Sequence, residues 1–270
     1  MATTAVLLLL SLLAEGVVSS AVEKRLVSAN PCPATERPYH ARVVYELQDG
    51  HSTTCAGTLI HMQWVITASH CYGGPGGILT VELGGHPKNA EKMTLRIEHA
   101  NVFNYSPSDE PIMLLKLPKA VKGIVPAVIR SGHCVVPDDG EELMVSGRGA
   151  TSAEGGPGVK DLMCLKLKSL SKGHCPNIAG SNYEKYKFIF CGGAIDNAQI
   201  KACKGDSGSG VVRTQKVTKS SFFFWTKEEQ SEMFTGVLIS GEKECEDNFV
   251  FVNTCADKIK SWIDSILKKS

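Results

Sequence analysis

The chain has no long basic run and almost no charge excess: 29 Lys and Arg stand against 28 Asp and Glu, a formal net charge of +1. An electrostatic nucleic-acid binder needs a basic patch or stripe, so that class is set aside. After the N-terminus no apolar run is long enough for a membrane span, no internal repeat recurs, and no linker is long enough to separate independent domains. His and Cys never fall at zinc-site spacing, so neither a metal nor another cofactor is expected. Helical periodicity is confined to the tail, where Ile259, Trp262, Ile263, Ile266 and Leu267 recur and Lys268 and Lys269 sit where a helix dipole favours cations.

What is abundant is cysteine, ten in 270 residues, with 26 Gly and 12 Pro. An even cysteine count on a turn-rich chain points to disulfides and to an oxidising compartment. The N-terminus supplies that compartment. Ala5 to Ala14 carries Leu7, Leu8, Leu9, Leu10, Leu12 and Leu13, an apolar run of signal-peptide length, with small residues Ser19 and Ser20 behind it. No Lys or Arg precedes the run, a departure from the usual signal, and a buried N-terminal helix is the competing reading. The expectation is a secreted, extracellular protein, with residues 1–20 removed between Ser20 and Ala21.

Between the ends, short β-branched and aromatic runs alternate with Gly, Pro, Asn and Asp clusters. Arg42–Leu47, Thr58–Thr67, Leu79–Leu83, Ile112–Leu117, Glu142–Ser146, Met163–Lys168, Gly210–Val212, Gly236–Ile239 and Phe249–Val252 are predicted strands of an all-β barrel or sandwich. Gly73–Gly77 reads as a flexible surface loop. The stretch from Lys216 to Glu232 contains Phe222, Phe223, Phe224 and Trp225 in a row. An extended hairpin tucking alternate aromatics inward is preferred over an exposed partner-binding patch, because strand alternation buries every second side chain.

Three segments carry chemistry. Cys55-Ala56-Gly57-Thr58-Leu59-Ile60 leads through Trp64-Val65-Ile66 to Thr67-Ala68-Ser69-His70-Cys71, and this resembles the histidine motif of the chymotrypsin-like serine proteases. Lys201-Ala202-Cys203-Lys204-Gly205-Asp206-Ser207-Gly208-Ser209-Gly210 resembles their nucleophile motif. Leu26-Val27-Ser28-Ala29 after Lys24-Arg25 resembles their activation site.

The resemblance implies two packed six-stranded Greek-key β-barrels with a C-terminal helix. It implies a propeptide at residues 21–25, cleavage at Arg25–Leu26 by an activating protease, and a protease domain at 26–270. His70 and Ser207 take the catalytic places, the N–H groups of Gly205 and Ser207 form the oxyanion hole, and the freed Leu26 amine pairs with Asp206. By family pattern the disulfides are Cys32–Cys164, Cys55–Cys71, Cys134–Cys255, Cys175–Cys191 and Cys203–Cys245. Leu143 and Arg213 occupy the two places of a further bridge, so both of its partners are missing together.

Against that pattern the cleft departs at several points. The family's orienting aspartate opens a strand of the form Asp-Ile-x-Leu-Leu-x-Leu, whereas Pro111-Ile112-Met113-Leu114-Leu115-Lys116-Leu117 puts proline in its place. Proline cannot hold an imidazole; Asp109, just upstream, is the substitute that a bulge could bring into reach. In the specificity pocket Lys201 stands where trypsin-like members carry an aspartate, Phe249 where a glycine lines the wall, and Ile239 and Ser240 replace a Ser-Trp pair before Gly241. Ser28 and Ala29 replace two glycines behind the new amino terminus, and the short Gly84–Met93 loop lacks the glutamate-rich run that binds calcium in some relatives. Asn104-Tyr105-Ser106 is a glycosylation sequon weakened by Pro107.

The expectation is a secreted protease homologue, monomeric, away from membranes and nucleic acid, that binds a protein or peptide as a regulator, decoy or toxin-like effector with little or no proteolysis. The alternative is an active serine endopeptidase that uses Asp109 and has a narrow, non-tryptic specificity set by Lys201.

Overall fold

The structure, a computed structural model, describes residues 29–87, 90–105, 111–129, 134–150, 159–195, 200–220, 226–240, 245 and 249–268. Its strands run in chain order β1 (Asn30–Pro31), β2 (His40–Leu47), β3 (Ser52–His61), β4 (Trp64–Ala68), β5 (Gly77–Leu83), β6 (Met93–Ile97), β7 (Val102–Asn104) and β8 (Ile112–Lys116). There follow β9 (Glu142–Gly147), β10 (Met163–Leu170), helices α1 (Cys175–Ala179) and α2 (Ser181–Lys185), β11 (Ile189–Gly193), β12 (Gly210–Ser220), β13 (Thr226–Leu238), β14 (Phe249–Asn253) and helix α3 (Asp257–Leu267).

The strands form two antiparallel sheets. One has the order β6-β5-β2-β3-β4-β8-β7; the other runs β1-β10-β11-β14-β13-β12-β9 and closes through a β9–β10 pairing into a six-stranded barrel with β1 appended. The expected six strands per barrel are thus joined in each sheet by one short strand, β1 or β7. β1 pairs with β10 through Asn30↔Cys164 and Pro31↔Met163, and the Cys32–Cys164 bridge just beyond it ties this start of the described chain to the second sheet.

Burial explains the strand sequences. Trp64–Ala68 is buried at every position, as a strand covered on both faces must be. β14 is also buried throughout, and its alternation serves two cores: Phe249 and Phe251 point into the second barrel, while Val250 and Val252 join the cluster shared with the first sheet and α3. On α3, Ile259, Ile263 and Ile266 face that shared cluster, and Trp262 meets Tyr105 edge-on at 5.1 Å.

Three local expectations need correction. Thr58–Thr67 is not one strand but parts of β3 and β4, because His61 pairs with Trp64 across a tight turn. Helix is not confined to the tail, since α1 and α2 follow β10; both are a single short turn region with too few residues to show a period. The glycine run at 73–77 is a surface loop only as far as Gly76, since Gly77 opens β5; a Cβ on Gly73 would lie 2.6 Å from the Tyr45 ring, and the Tyr45 hydroxyl donates to the Gly74 carbonyl at 3.1 Å.

Five disulfides close in the structure: Cys32–Cys164, Cys55–Cys71, Cys134–Cys255, Cys175–Cys191 and Cys203–Cys245. The segment from Lys216 to Glu232 lies in the long β12–β13 hairpin, whose register reaches Ser220↔Thr226. Phe222, Phe223, Phe224 and Trp225 lie outside the described residues, as do Ser20, Ala21, Arg25 and Leu26. No helix among the described residues is long and apolar enough to cross a membrane.

Candidate active site

His70 sits in a 3-10 turn, Ser69–Cys71, at the end of β4, where the Cys55–Cys71 bridge ties it to β3. Ser207 precedes β12 on the second barrel. The two barrels meet here through the backbone, since the Ala56 N–H donates to the Ser207 carbonyl at 2.8 Å. That approach depends on Gly208, whose φ is +88° and where a Cβ would lie 2.1 Å from the Ala56 carbonyl oxygen. Gly205, at the other side of Asp206, also has a positive φ.

The Ser207 side chain is nearly inaccessible. Ser207 is 3% exposed, and its hydroxyl donates to the Ser240 carbonyl at 3.1 Å, not to the buried Nε2 of His70. Asp206 beside it is 1% exposed; its two carboxylate oxygens accept the Gly149 N–H at 2.8 Å and the Cys203 N–H at 3.0 Å. Burial pushes its pKa from 3.8 up to about 6, with the two N–H donors partly opposing that rise.

At the place of the orienting aspartate stands Pro111. It is buried, immediately precedes β8, and its carbonyl accepts the Ser69 N–H at 2.9 Å, one residue from His70. The register setting Ala68 opposite Ile112 places it there. Asp109 lies outside the described residues.

The residues expected to line the specificity pocket come from three separate segments. Lys201 is half-buried between Ile200 and Ala202, which both belong to the second-barrel core. Phe249 is fully buried in the same core and stacks on Phe251, with ring centroids 6.4 Å apart; Phe251 in turn stacks on Phe190 at 5.2 Å. Ile239 and Ser240 are buried at the end of β13, and Gly241 lies outside the described residues. Cys55, His70 and Cys71 bring three potential metal ligands within 4.8 Å, the one such group among the described residues. Both sulfurs are committed to a disulfide, so they offer no thiolates to a metal.

Sequence reasoning did not find the Ser240 carbonyl or the Gly149 N–H as partners of Ser207 and Asp206. Both are backbone groups, which side-chain patterns do not reveal.

A histidine at the rim of one β-barrel and a serine at the rim of a second define a chymotrypsin-like serine protease architecture. The chain belongs to the trypsin family: the family pattern described as Trypsin matches residues 26–263. It is 33% identical to Trypsin-4 of Rattus norvegicus over 203 residues, covering 70% of this chain and 75% of that protein. It is 27% identical to Kallikrein-7 of Homo sapiens over 270 residues, covering 97% and 95%. A solved structure titled "Structure of GrC" superposes with a TM-score of 0.66 at 24% identity, covering 89% of this chain and 99% of that one, a likeness of fold.

Proposed function

We propose that this trypsin-family protein is secreted, is cut after Arg25, and acts by binding a protein or peptide in or beside its cleft with little or no peptide-bond hydrolysis. The observation that carries this reading is Pro111, a buried proline whose carbonyl accepts the Ser69 N–H beside His70. A serine hydroxyl is a weak nucleophile unless a correctly oriented imidazole takes its proton, and a proline side chain neither accepts the imidazole N–H nor stabilises the imidazolium. Corrupting the aspartate of such a triad costs about 10⁴ in turnover, or about 5 kcal/mol of transition-state stabilisation.

The pocket residues favour the same reading. A ring at Phe249, where the family pattern has a wall glycine, supports a pocket with little room for a substrate side chain, and Lys201 supports one that repels a cation. Five disulfides and the N-terminal apolar run support an extracellular site of action.

Turnover decides the question. The purified chain, cut after Arg25, is assayed on small Arg, Lys, Asp and Glu esters and amides. The binding reading expects no turnover above a Ser207→Ala control. Robust hydrolysis abolished by Ser207→Ala would overturn it in favour of an active endopeptidase that uses Asp109.

A further inference from the structure

β13 leaves its ladder at Leu238, although the register would next set Ile239 opposite Val250. In an antiparallel hydrogen-bonded pair the two residues exchange both N–H···O bonds. Half of that exchange is present, because the Ile239 N–H donates to the Val250 carbonyl at 2.9 Å. The returning Val250 N–H donates instead to the side-chain hydroxyl oxygen of Ser240 at 3.3 Å. A side-chain acceptor has replaced a main-chain one. The main-chain acceptor replaced is the Ile239 carbonyl; the Ser240 carbonyl, one residue on, lies on the side away from β14 and accepts the Ser207 hydroxyl at 3.1 Å, while the Ser240 hydroxyl ties the same residue to β14.

Both serines are nearly inaccessible, Ser207 at 3% and Ser240 at 4%, so water does not compete for this bond. Turning the Ser207 hydroxyl toward His70 exchanges one acceptor for another and leaves the buried Ser240 carbonyl without its donor, so the turn is disfavoured while that carbonyl stays in place. The residue type matters. The aromatic that the family pattern places at Ser240 has no side-chain oxygen to capture the Val250 N–H, and neither does alanine.

We propose that Ser240 is a positioning residue that holds Ser207 in a resting state, its hydroxyl anchored to β14 and its carbonyl capping the nucleophile, so that the nucleophile is released only when Ile239–Ser240 shifts. This deepens the binding reading: it names a second, independent restraint on the same serine, acting on the nucleophile where Pro111 acts on the base.

A fluorophosphonate probe reads the restraint directly. Ser207 Oγ attacks phosphorus, the O–P bond forms as the P–F bond breaks with fluoride leaving, and the hydroxyl proton passes to His70 Nε2. Labelling rates are measured on the full chain cut after Arg25, for the parent, Ser240→Ala and Ser240→Thr, with Ser207→Ala as the blank. The same set is built on Pro111→Asp, and exchange of the Val250 amide hydrogen is followed in parallel. Ser240→Ala is expected to label about tenfold faster than its parent in the Pro111→Asp background, the scale of one lost hydrogen bond. Ser240→Thr, which keeps the hydroxyl, is expected to stay at the parent rate, and the Val250 amide to exchange faster in the alanine variant alone.

Equal rates for Ser240→Ala and its parent in both backgrounds, including no labelling in either, overturn the proposal. So does a threonine variant as fast as the alanine one. The binding reading fails separately, through ester turnover by the unmodified chain, and that failure leaves the ratio between Ser240 variants free to decide.

Discussion

Leu143 on β9 and Arg213 on β12 stand directly opposite each other across the antiparallel pair. Leu143 is fully buried; the Arg213 guanidinium, also buried, reaches both carboxylate oxygens of Glu141 at 3.2 Å. These are the two positions at which the family pattern has a bridge. Cross-strand neighbours have Cα atoms about 4.5–5.5 Å apart, within the range of a disulfide. The double variant Leu143→Cys, Arg213→Cys is therefore expected to form a sixth bridge, found by peptide mapping. Oxidised against reduced, it should gain about 2–4 kcal/mol in urea unfolding with the other bridges kept. Two free thiols at these positions in the folded protein would show that the register is wrong.

Asp206 offers a test of the proposed maturation. A buried carboxyl whose pKa is raised to about 6 binds a proton more readily folded than unfolded. Its stability contribution is thus most favourable at low pH and declines as pH rises from about 4 to about 6, by about 3 kcal/mol in all. If the Leu26 amine freed by cleavage reaches this carboxylate, the penalty disappears at neutral pH. The cut chain should then be more stable than an uncut Arg25→Gln chain by about 3 kcal/mol at pH 7, with the advantage shrinking toward pH 4. Identical urea midpoints at pH 7 would separate Leu26 from Asp206.

His40 gives the opposite dependence. Burial, with Arg148 and His86 adding repulsion, lowers its pKa to about 3, so it stays neutral in the folded protein while the unfolded chain takes up a proton below about 6.5. Stability is lost as pH falls through that window. By pH 4 the loss from this residue is about 3 kcal/mol. Replacing it by Asn should flatten the difference between urea unfolding at pH 7 and pH 4; an unchanged slope would place the acid sensitivity elsewhere.

Repair of the cleft should need more than one residue. Pro111→Asp alone is expected to leave ester turnover low, because Phe249 still fills its site and Lys201 still opposes a cation. The triple variant with Lys201→Asp and Phe249→Gly should cleave Arg and Lys esters better than the product of the single effects. Phe249 is a full member of the second-barrel core, so its removal carries a stability cost of about 4 kcal/mol, measurable by denaturant unfolding. A full return of activity in Pro111→Asp by itself would show that the pocket is open.

Much of this was legible in the sequence. The two motifs around His70 and Ser207 and the cysteine spacing point to the fold because each requires particular residue types at particular intervals. Pro111 and Phe249 are visible departures for the same reason. Strand ends were less legible: the β3–β4 turn at Met62 and Gln63 carries no Gly, Pro, Asn or Asp to mark it, so only the His61↔Trp64 pairing reveals it.

The sequence by itself determined which side chains the cleft could contain, since motif positions are local and covalent. Only the tertiary structure decided what Ser207 does with its hydroxyl and which N–H groups hold the Asp206 carboxylate. Ser240 lies 33 residues from Ser207 and Gly149 lies 57 from Asp206, and both act through main-chain atoms. Every residue type carries those atoms, so their roles are set by where the two barrels bring the backbone, and by the water that packing excludes.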